Sequence, residues 1–231
     1  MREPAATTAA QREAGDTGLF EGLPTTVRFE HEPAQVFAEN AAREYRMCLD
    51  SCGPDGVPTH RPRAQALLFG QIRNAETTIS GIEFVANVRG SDETVIAEFE
   101  ATIAPRFGEA YLNPERGFWC DEDAVRRAIM RRAEEGLELL GSIHSHPDWH
   151  RIGPAHERRM PLSEHPTQMD EYLFGRSLWP VNVIWYVSGG DDRLTHRVAG
   201  WRPGATRCDR LDVELPRTIL DEYRVELPNA G

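Results

Sequence analysis

Apolar residues recur along this chain in two rhythms, a helical one of about 3.6 residues and a strand one of two, and the switches between them divide it into elements. From residue 33 to 50, Val36, Phe37, Ala41, Tyr45 and Cys48 recur at helical spacing, and Gly53-Pro54-Asp55-Gly56 then breaks the pattern. Ala66 to Phe69 reads as a short buried strand, followed by a turn and a second strand near Ile82 to Val88. Val95-Ile96-Ala97-Glu98-Phe99-Glu100 alternates, which puts Glu98 and Glu100 on one face of a strand opposite Val95, Ala97 and Phe99. The stretch from Glu98 to Gly117, punctuated by Pro105, Gly108, Pro114 and Gly117, reads as an added hairpin or loop. Asp121 has the place of an N-cap for a helix from Glu122 to Glu135, with Val125, Ile129 and Ala133 as its inner stripe and Gly136 to stop it. Leu137 to Ile143 has the branched, apolar character of a buried strand, and Val183 to Ser188 reads as another. Met1 to about Pro24 has no sustained apolar period and reads as a disordered tail. Helix, strands, helix, strand, helix, strand is the order of an α/β fold with a mixed, curved sheet.

The chemistry concentrates where the strand at Leu137 runs into His144-Ser145-His146-Pro147. Alternate strand side chains share a face, so His144 and His146 project to one side and can converge on an ion while Ser145 points away. A third ligand must come from elsewhere, and Asp170 suits it: a carboxylate on a helical turn, with the Thr167 hydroxyl three residues earlier on the same face. Two neutral imidazoles and one carboxylate leave a zinc ion one open tetrahedral position for water, the pattern of a catalytic rather than a structural site. Zinc is therefore the expected cofactor, and a hydrolase the expected enzyme.

His144-Ser145-His146-Pro147 followed by Thr167-Gln168-Met169-Asp170 resembles the signature of the JAMM/MPN+ zinc metalloproteases, prokaryotic type, in which His-x-His-Pro precedes Ser-x-x-Asp. Arg63 to Gly70 is similar to the family's early Gly-ending strand, Phe84 to Asn87 to its next strand, and Val183 to Ser188 to the strand after the Asp-bearing helix, so the likeness spans roughly residues 34 to 201. The resemblance implies a cytidine-deaminase-like three-layer arrangement, a mixed curved sheet flanked by helices, over a catalytic domain at 25–204 with insertions near 98–117 and 148–166 and a C-terminal extension at 205–231. It also implies hydrolysis of a peptide or isopeptide bond, with Thr167 stabilising the oxyanion and a ubiquitin-like or sulfur-carrier protein as partner. Three departures stand out. Arg63 occupies the place of the family's general-base glutamate, Thr167 replaces its serine, and the Asp148 to Pro166 segment is long. Glu83, Glu98 and Glu100 are the alternative carboxylates for the base.

The long segment is basic in an acidic chain. It carries Trp149, His150, Arg151, His156, Arg158, Arg159 and His165, and Arg158 with Arg159 has the guanidinium geometry to grip a substrate carboxylate as part of a lid. A histidine from it filling the open metal position, and a solvated loop with incidental charges, are the other readings. A small-molecule amidase, or a metal-binding but catalytically silent interaction module, are the alternatives to the protease reading. The formal charge of −11 over 231 residues argues against a nucleic-acid partner, which would need clustered Lys and Arg. No apolar run approaches the length of a membrane span and the N-terminus has no basic-then-apolar signal, so a cytoplasmic protein without a membrane partner is expected. Cys48, Cys52, Cys120 and Cys208 show no Cys-x-x-Cys pairing and read as buried free thiols.

Overall fold

An apolar stripe on a long helix needs a sheet face to cover it, and in the computed structural model helix α1 (His31–Asp50) finds one. The structure describes residues 22–54, 59–60, 64–73, 76–114, 116–148, 166–189, 193–204 and 207–227. Phe37, Ala38, Ala41, Tyr45 and Cys48, recurring at three- and four-residue spacing, bury that stripe, and the Phe37 ring lies 5.7 Å from Trp185. Around them pack the inward residues of the strands, among them Leu68, Ile79, Ile143, Val183, Val198 and Leu211.

Those strands are β1 (Thr26–Phe29), β2 (Gln65–Arg73), β3 (Glu76–Phe84), β4 (Glu138–Pro147), β5 (Val181–Gly189), β6 (Leu194–Arg202), β7 (Asp209–Glu214) and β8 (Val225–Glu226). They run in the order β5-β4-β2-β3-β1-β7-β6, and β6 pairs back onto β5, so seven strands close into a mixed β-barrel with β8 beside β6. Pairing is parallel for β1–β3, β1–β7 and β4–β5 and antiparallel at the other ring contacts. The three-layer α/β arrangement expected from the resemblance is therefore wrong. Two short strands account for the difference: β1, four residues long, and β7, drawn from the stretch set apart as an extension, join each other and close what would otherwise be an open sheet.

Other expectations shift with it. Residues 93–112 are helical, not a strand and a loop: α2 (Glu93–Glu98) continues through a π turn (Phe99–Ile103) into α3 (Ala104–Phe107) and a 3₁₀ turn (Glu109–Leu112). Asp92 caps α2 by accepting from the Thr94 and Val95 amides, and the buried residues Val95, Phe99 and Ile103 follow a four-residue spacing, so the helical period outweighs the local alternation. Helix α4 (Glu122–Glu134) is capped by Asp121 as expected, but its buried residue is Ala128, against Leu67 and Phe69, while Ile129 and Ala133 face solvent. Helix α5 (Gln168–Ser177) lays Phe174 on Ile184 and Tyr186, so β5 is buried on both faces. Helix α6 (Arg217–Tyr223) closes the opposite end with Ile219. Gly70 sits at a register shift between β2 and β3, where any Cβ would overlap the Thr78 carbonyl oxygen. No helix among the described residues is long and apolar enough to cross a membrane.

His196 on β6 is buried in the core and accepts the Trp185 indole N–H at Nδ1, 2.7 Å away. Burial pushes its pKa down to about 4, with the Arg46 charge adding to the effect. In the unfolded chain an imidazole protonates near about 6.5, so between that pH and about 4 the unfolded state binds a proton that the native state refuses. Stability is thus complete above the window and is lost as pH falls through it, by about 3 kcal/mol at the bottom. Denaturant midpoints of metal-free protein across this range should fall more steeply for the wild type than for His196→Gln, and equal slopes would remove the attribution.

Candidate metal centre

Strand β4 is held on both sides, and this fixes its histidines. Gln65 of β2 lies opposite His144, while Ile184 and Tyr186 of β5 lie opposite His144 and His146. Leu140 and Ile143 point into the barrel, so His144 and His146 point outward, toward α5, and the Ser145 hydroxyl is buried in the other direction. Phe174 and Tyr186 back the two imidazoles, with ring centroids 6.2 Å from His144 and 5.6 Å from His146. Just past Pro147, Asp148 is fully buried and accepts from Tyr45 Oη at 2.7 Å and the Gly189 amide at 3.2 Å.

The third group arrives on the first turn of α5. Thr167 is its N-cap in a capping box: Asp170 N donates to Thr167 Oγ1 at 3.1 Å, and the Thr167 amide donates to Asp170 Oδ2 at 2.8 Å. Thr167 Oγ1 also donates to Asp170 Oδ2, at 2.7 Å. The carboxylate is thereby locked toward the histidines. His144 Nε2 lies 3.0 Å from His146 Nε2 and 3.5 Å from Asp170 Oδ1, and His146 Nε2 lies 3.6 Å from Asp170 Oδ2.

These three side chains form a group that could hold a metal ion. The separations test the fit: ligand atoms at about 2.0–2.1 Å from a tetrahedral ion stand about 3.4 Å apart, and the two imidazole nitrogens lie 3.0 Å apart with a different Asp170 oxygen 3.5 or 3.6 Å from each. Electrostatics agree. Burial pushes His146 down to about 4, against the pull of Asp170 and with repulsion from His144 and Arg116, so the ring is neutral at neutral pH and offers a lone pair. Burial alone would raise the Asp170 pKa, but the two imidazoles and the Thr167 hydroxyl outweigh it and hold the carboxyl well below the usual carboxylate range. An ionised carboxylate beside the uncharged His146 ring is the protonation state a divalent cation needs at those two ligands.

A cavity of about 540 Å³ opens beside the triad, with Phe118, Trp119, Leu173 and Trp179 among its apolar walls. Its polar wall includes Gln65, Tyr111, Arg116 and Glu122, none of which the local sequence pattern singled out. Tyr111 comes from the 3₁₀ turn at Glu109–Leu112 and Arg116 from the non-helical stretch after it, and only the third dimension brings them to the histidines. Cys120 also stands on the wall, accepting from Gln65 Nε2 at 3.5 Å, and burial pushes its thiol up to about 12, so it is no nucleophile.

His144, His146, Asp170 and Thr167 thus come together as expected. Glu83, Glu98 and Glu100 do not join them. Glu83 pairs with Arg131 and Arg132 of α4, Glu98 with Arg176, and Glu100 is exposed on the π turn, none of them on the cavity wall. Arg63, Trp149, Arg158, Arg159 and the three histidines of the long segment lie outside the described residues.

No protein-family model matches the chain, and neither does any curated protein. Among solved structures it is similar to protein DSY2949 from Desulfitobacterium hafniense, at 12% identity and a TM-score of 0.47 over 83% of this chain and 93% of that one. It is also similar to a protein from Salinibacter ruber, at 18% identity and a TM-score of 0.33 over 76% of this chain and 88% of that one.

Proposed function

We propose that this chain is a metal-dependent hydrolase of amide bonds, with zinc held by His144, His146 and Asp170. The observation that carries the reading is the triad itself: two imidazole nitrogens and a carboxylate converging on one point, on the wall of a cavity large enough for a ligand. Zinc bound there would lower the pKa of a water and polarise a carbonyl. The likeness to the JAMM/MPN+ signature supports the same chemistry, and it rests on His144 to Pro147 and Thr167 to Asp170 alone, since function follows the site and not the fold around it.

In this reading the oxygen of water bonds to the carbonyl carbon, the C–N bond breaks, and the leaving nitrogen takes up both protons of the water, giving a carboxylate and an ammonium. Each residue has a task. Phe174 and Tyr186 hold the imidazoles in place, Thr167 orients Asp170, and the apolar walls exclude solvent from the reacting carbonyl. Glu122, the cavity's remaining carboxylate among the described residues, is the group we assign to proton transfer.

Two substrate classes follow. One is the extended C-terminus of a ubiquitin-like or sulfur-carrier protein, as the signature implies. The other, a small amide, draws on the aromatic pocket formed by Trp119 and Trp179, whose volume is in the range of small-molecule sites. The test is metal analysis of purified protein followed by parallel assays on a carrier bearing a C-terminal extension and on a panel of small N-acyl amides. Turnover that a chelator abolishes and zinc restores is expected on one of the two. Stoichiometric metal without turnover on either would replace the hydrolase by the silent interaction module.

A further inference from the structure

Thr167 has one hydroxyl proton, and that proton goes to Asp170 Oδ2 at 2.7 Å while the Asp170 amide donates to Thr167 Oγ1 at 3.1 Å. A hydroxyl so engaged has no proton left for a substrate oxygen. The next hydroxyl on the cavity wall is that of Tyr111, whose side chain hydrogen-bonds with Thr167 and with Arg116.

Tyr111 is built into position. Arg89, 1% exposed, donates from its guanidinium to the Tyr111 carbonyl at 2.7 Å and lies 3.6 Å over the Phe99 ring. Asn87 Oδ1 accepts from the amides of Arg89 and Trp119, which ties down both ends of the segment that carries Tyr111. Phe107 bridges the ring of Tyr111, at 6.4 Å, to that of Tyr172 on α5, at 5.4 Å, so the phenol is coupled to the helix that bears Asp170. The Arg116 guanidinium sits 4.9 Å over the Tyr111 ring, and its charge reaches His146. Burial raises the phenol's pKa above its ordinary value, which keeps it a proton donor at neutral pH.

We propose that Tyr111 is a catalytic residue: its hydroxyl leaves Thr167 to donate a hydrogen bond to the scissile carbonyl oxygen as that oxygen gains charge, with Arg116 adding positive field behind it. The proposal rests on the hydrolase reading of this site. No bond forms to Tyr111 and its proton stays on Oη. The electron pair that moves onto the carbonyl oxygen returns when the C–N bond breaks and the amine departs with its proton.

The experiment compares metal-loaded wild type, Tyr111→Phe and Thr167→Val in two measurements: kcat and KM on an amide that the wild type cleaves, and calorimetric affinity for a phosphonamidate dipeptide, whose tetrahedral anionic oxygen mimics the adduct. Removing one oxyanion donor typically costs about 10²–10³-fold in kcat, and that loss is expected for Tyr111→Phe with KM and metal affinity near wild type. Its phosphonamidate affinity should fall at least about tenfold in step with the rate. Thr167→Val should instead loosen the metal. Wild-type kcat and phosphonamidate affinity in Tyr111→Phe would overturn the proposal, as would a loss accounted for by missing metal. If the wild type cleaves none of the amides, it is the hydrolase reading that fails. The phosphonamidate measurement then judges Tyr111 alone: weaker binding supports the donor and unchanged binding overturns it.

Discussion

Asp170→Ala is expected to purify with little metal and to lose at least about 10⁴-fold in kcat, more than the ~10²–10⁴ attributable to a positioned acid or base, because both the polarised carbonyl and the activated water depend on the ion. The side chain holds more than one role at once. It supplies the sole anionic ligand of the triad, it accepts from the Thr167 amide and hydroxyl, and its charge offsets the burial of His146. Removing it leaves two imidazole nitrogens 3.0 Å apart with no anion between them and the ion, and it opens the capping box at the start of α5. Part of the effect will therefore appear as stability, about 1 kcal/mol from the lost cap. Asp170→Asn separates the two: the amide oxygen can still accept from the N-cap while the ligand charge is gone. Metal content by mass spectrometry and chelator-reversible activity are the measurements, and an Asp170→Ala protein that retains stoichiometric metal and turnover would dismiss the centre.

How far the sequence could carry these conclusions depended on the range of each interaction. The helix α1, the strand bearing the histidines and the Asp121 cap declare themselves within a few residues, because period and capping are local properties. The candidate metal-holding group was legible for the same reason: His144 and His146 share a strand face by geometry, and Asp170 sits one helical turn from Thr167. Barrel closure was not legible. Strand β7 reads Asp-Arg-Leu-Asp-Val-Glu, whose brief Leu211–Val213 alternation does not say which strand it joins, and its partner β1 stands at the other end of the chain. The neighbours of a strand so remote in sequence are not written in its own residues. The same holds for the cavity. Tyr111, and Arg116 just beyond it, reach the histidines at the end of a helical segment whose four-residue spacing, Val95 to Phe99 to Ile103, is masked by an accidental alternation of Glu98 and Glu100.

Asp148→Ala should destabilise the protein by about 3–4 kcal/mol, a large share of the roughly 5–15 kcal/mol available to a domain. Asp148 has no solvent exposure, and its two oxygens divide between Tyr45 Oη at 2.7 Å and the Gly189 amide at 3.2 Å. The buried Tyr45 hydroxyl loses its acceptor once the carboxylate is gone, while the Gly189 amide keeps Tyr45 Oη as an acceptor at 2.9 Å. Tyr45 lies in the middle of the α1 stripe, and Gly189 is packed so closely that a Cβ there would stand 2.7 Å from the Tyr45 hydroxyl. Asp148→Asn should cost less, about 1–3 kcal/mol, because one oxygen still accepts while the new NH₂ opposes the remaining donor. Tyr45→Phe together with Asp148→Asn removes the phenol that bonds this side chain, and a double-mutant cycle in urea measures the coupling. The consequence reaches the metal. Asp148 ends β4 two residues after His146, where its amide bonds Val187, so a chain end released there lets the imidazole drift from the tetrahedral spacing. Metal affinity should fall by about 10–100-fold, the usual cost of losing support behind a ligand, in a variant that keeps all three ligands. A variant with wild-type midpoint and wild-type affinity would show that β4 is pinned by its sheet partners alone.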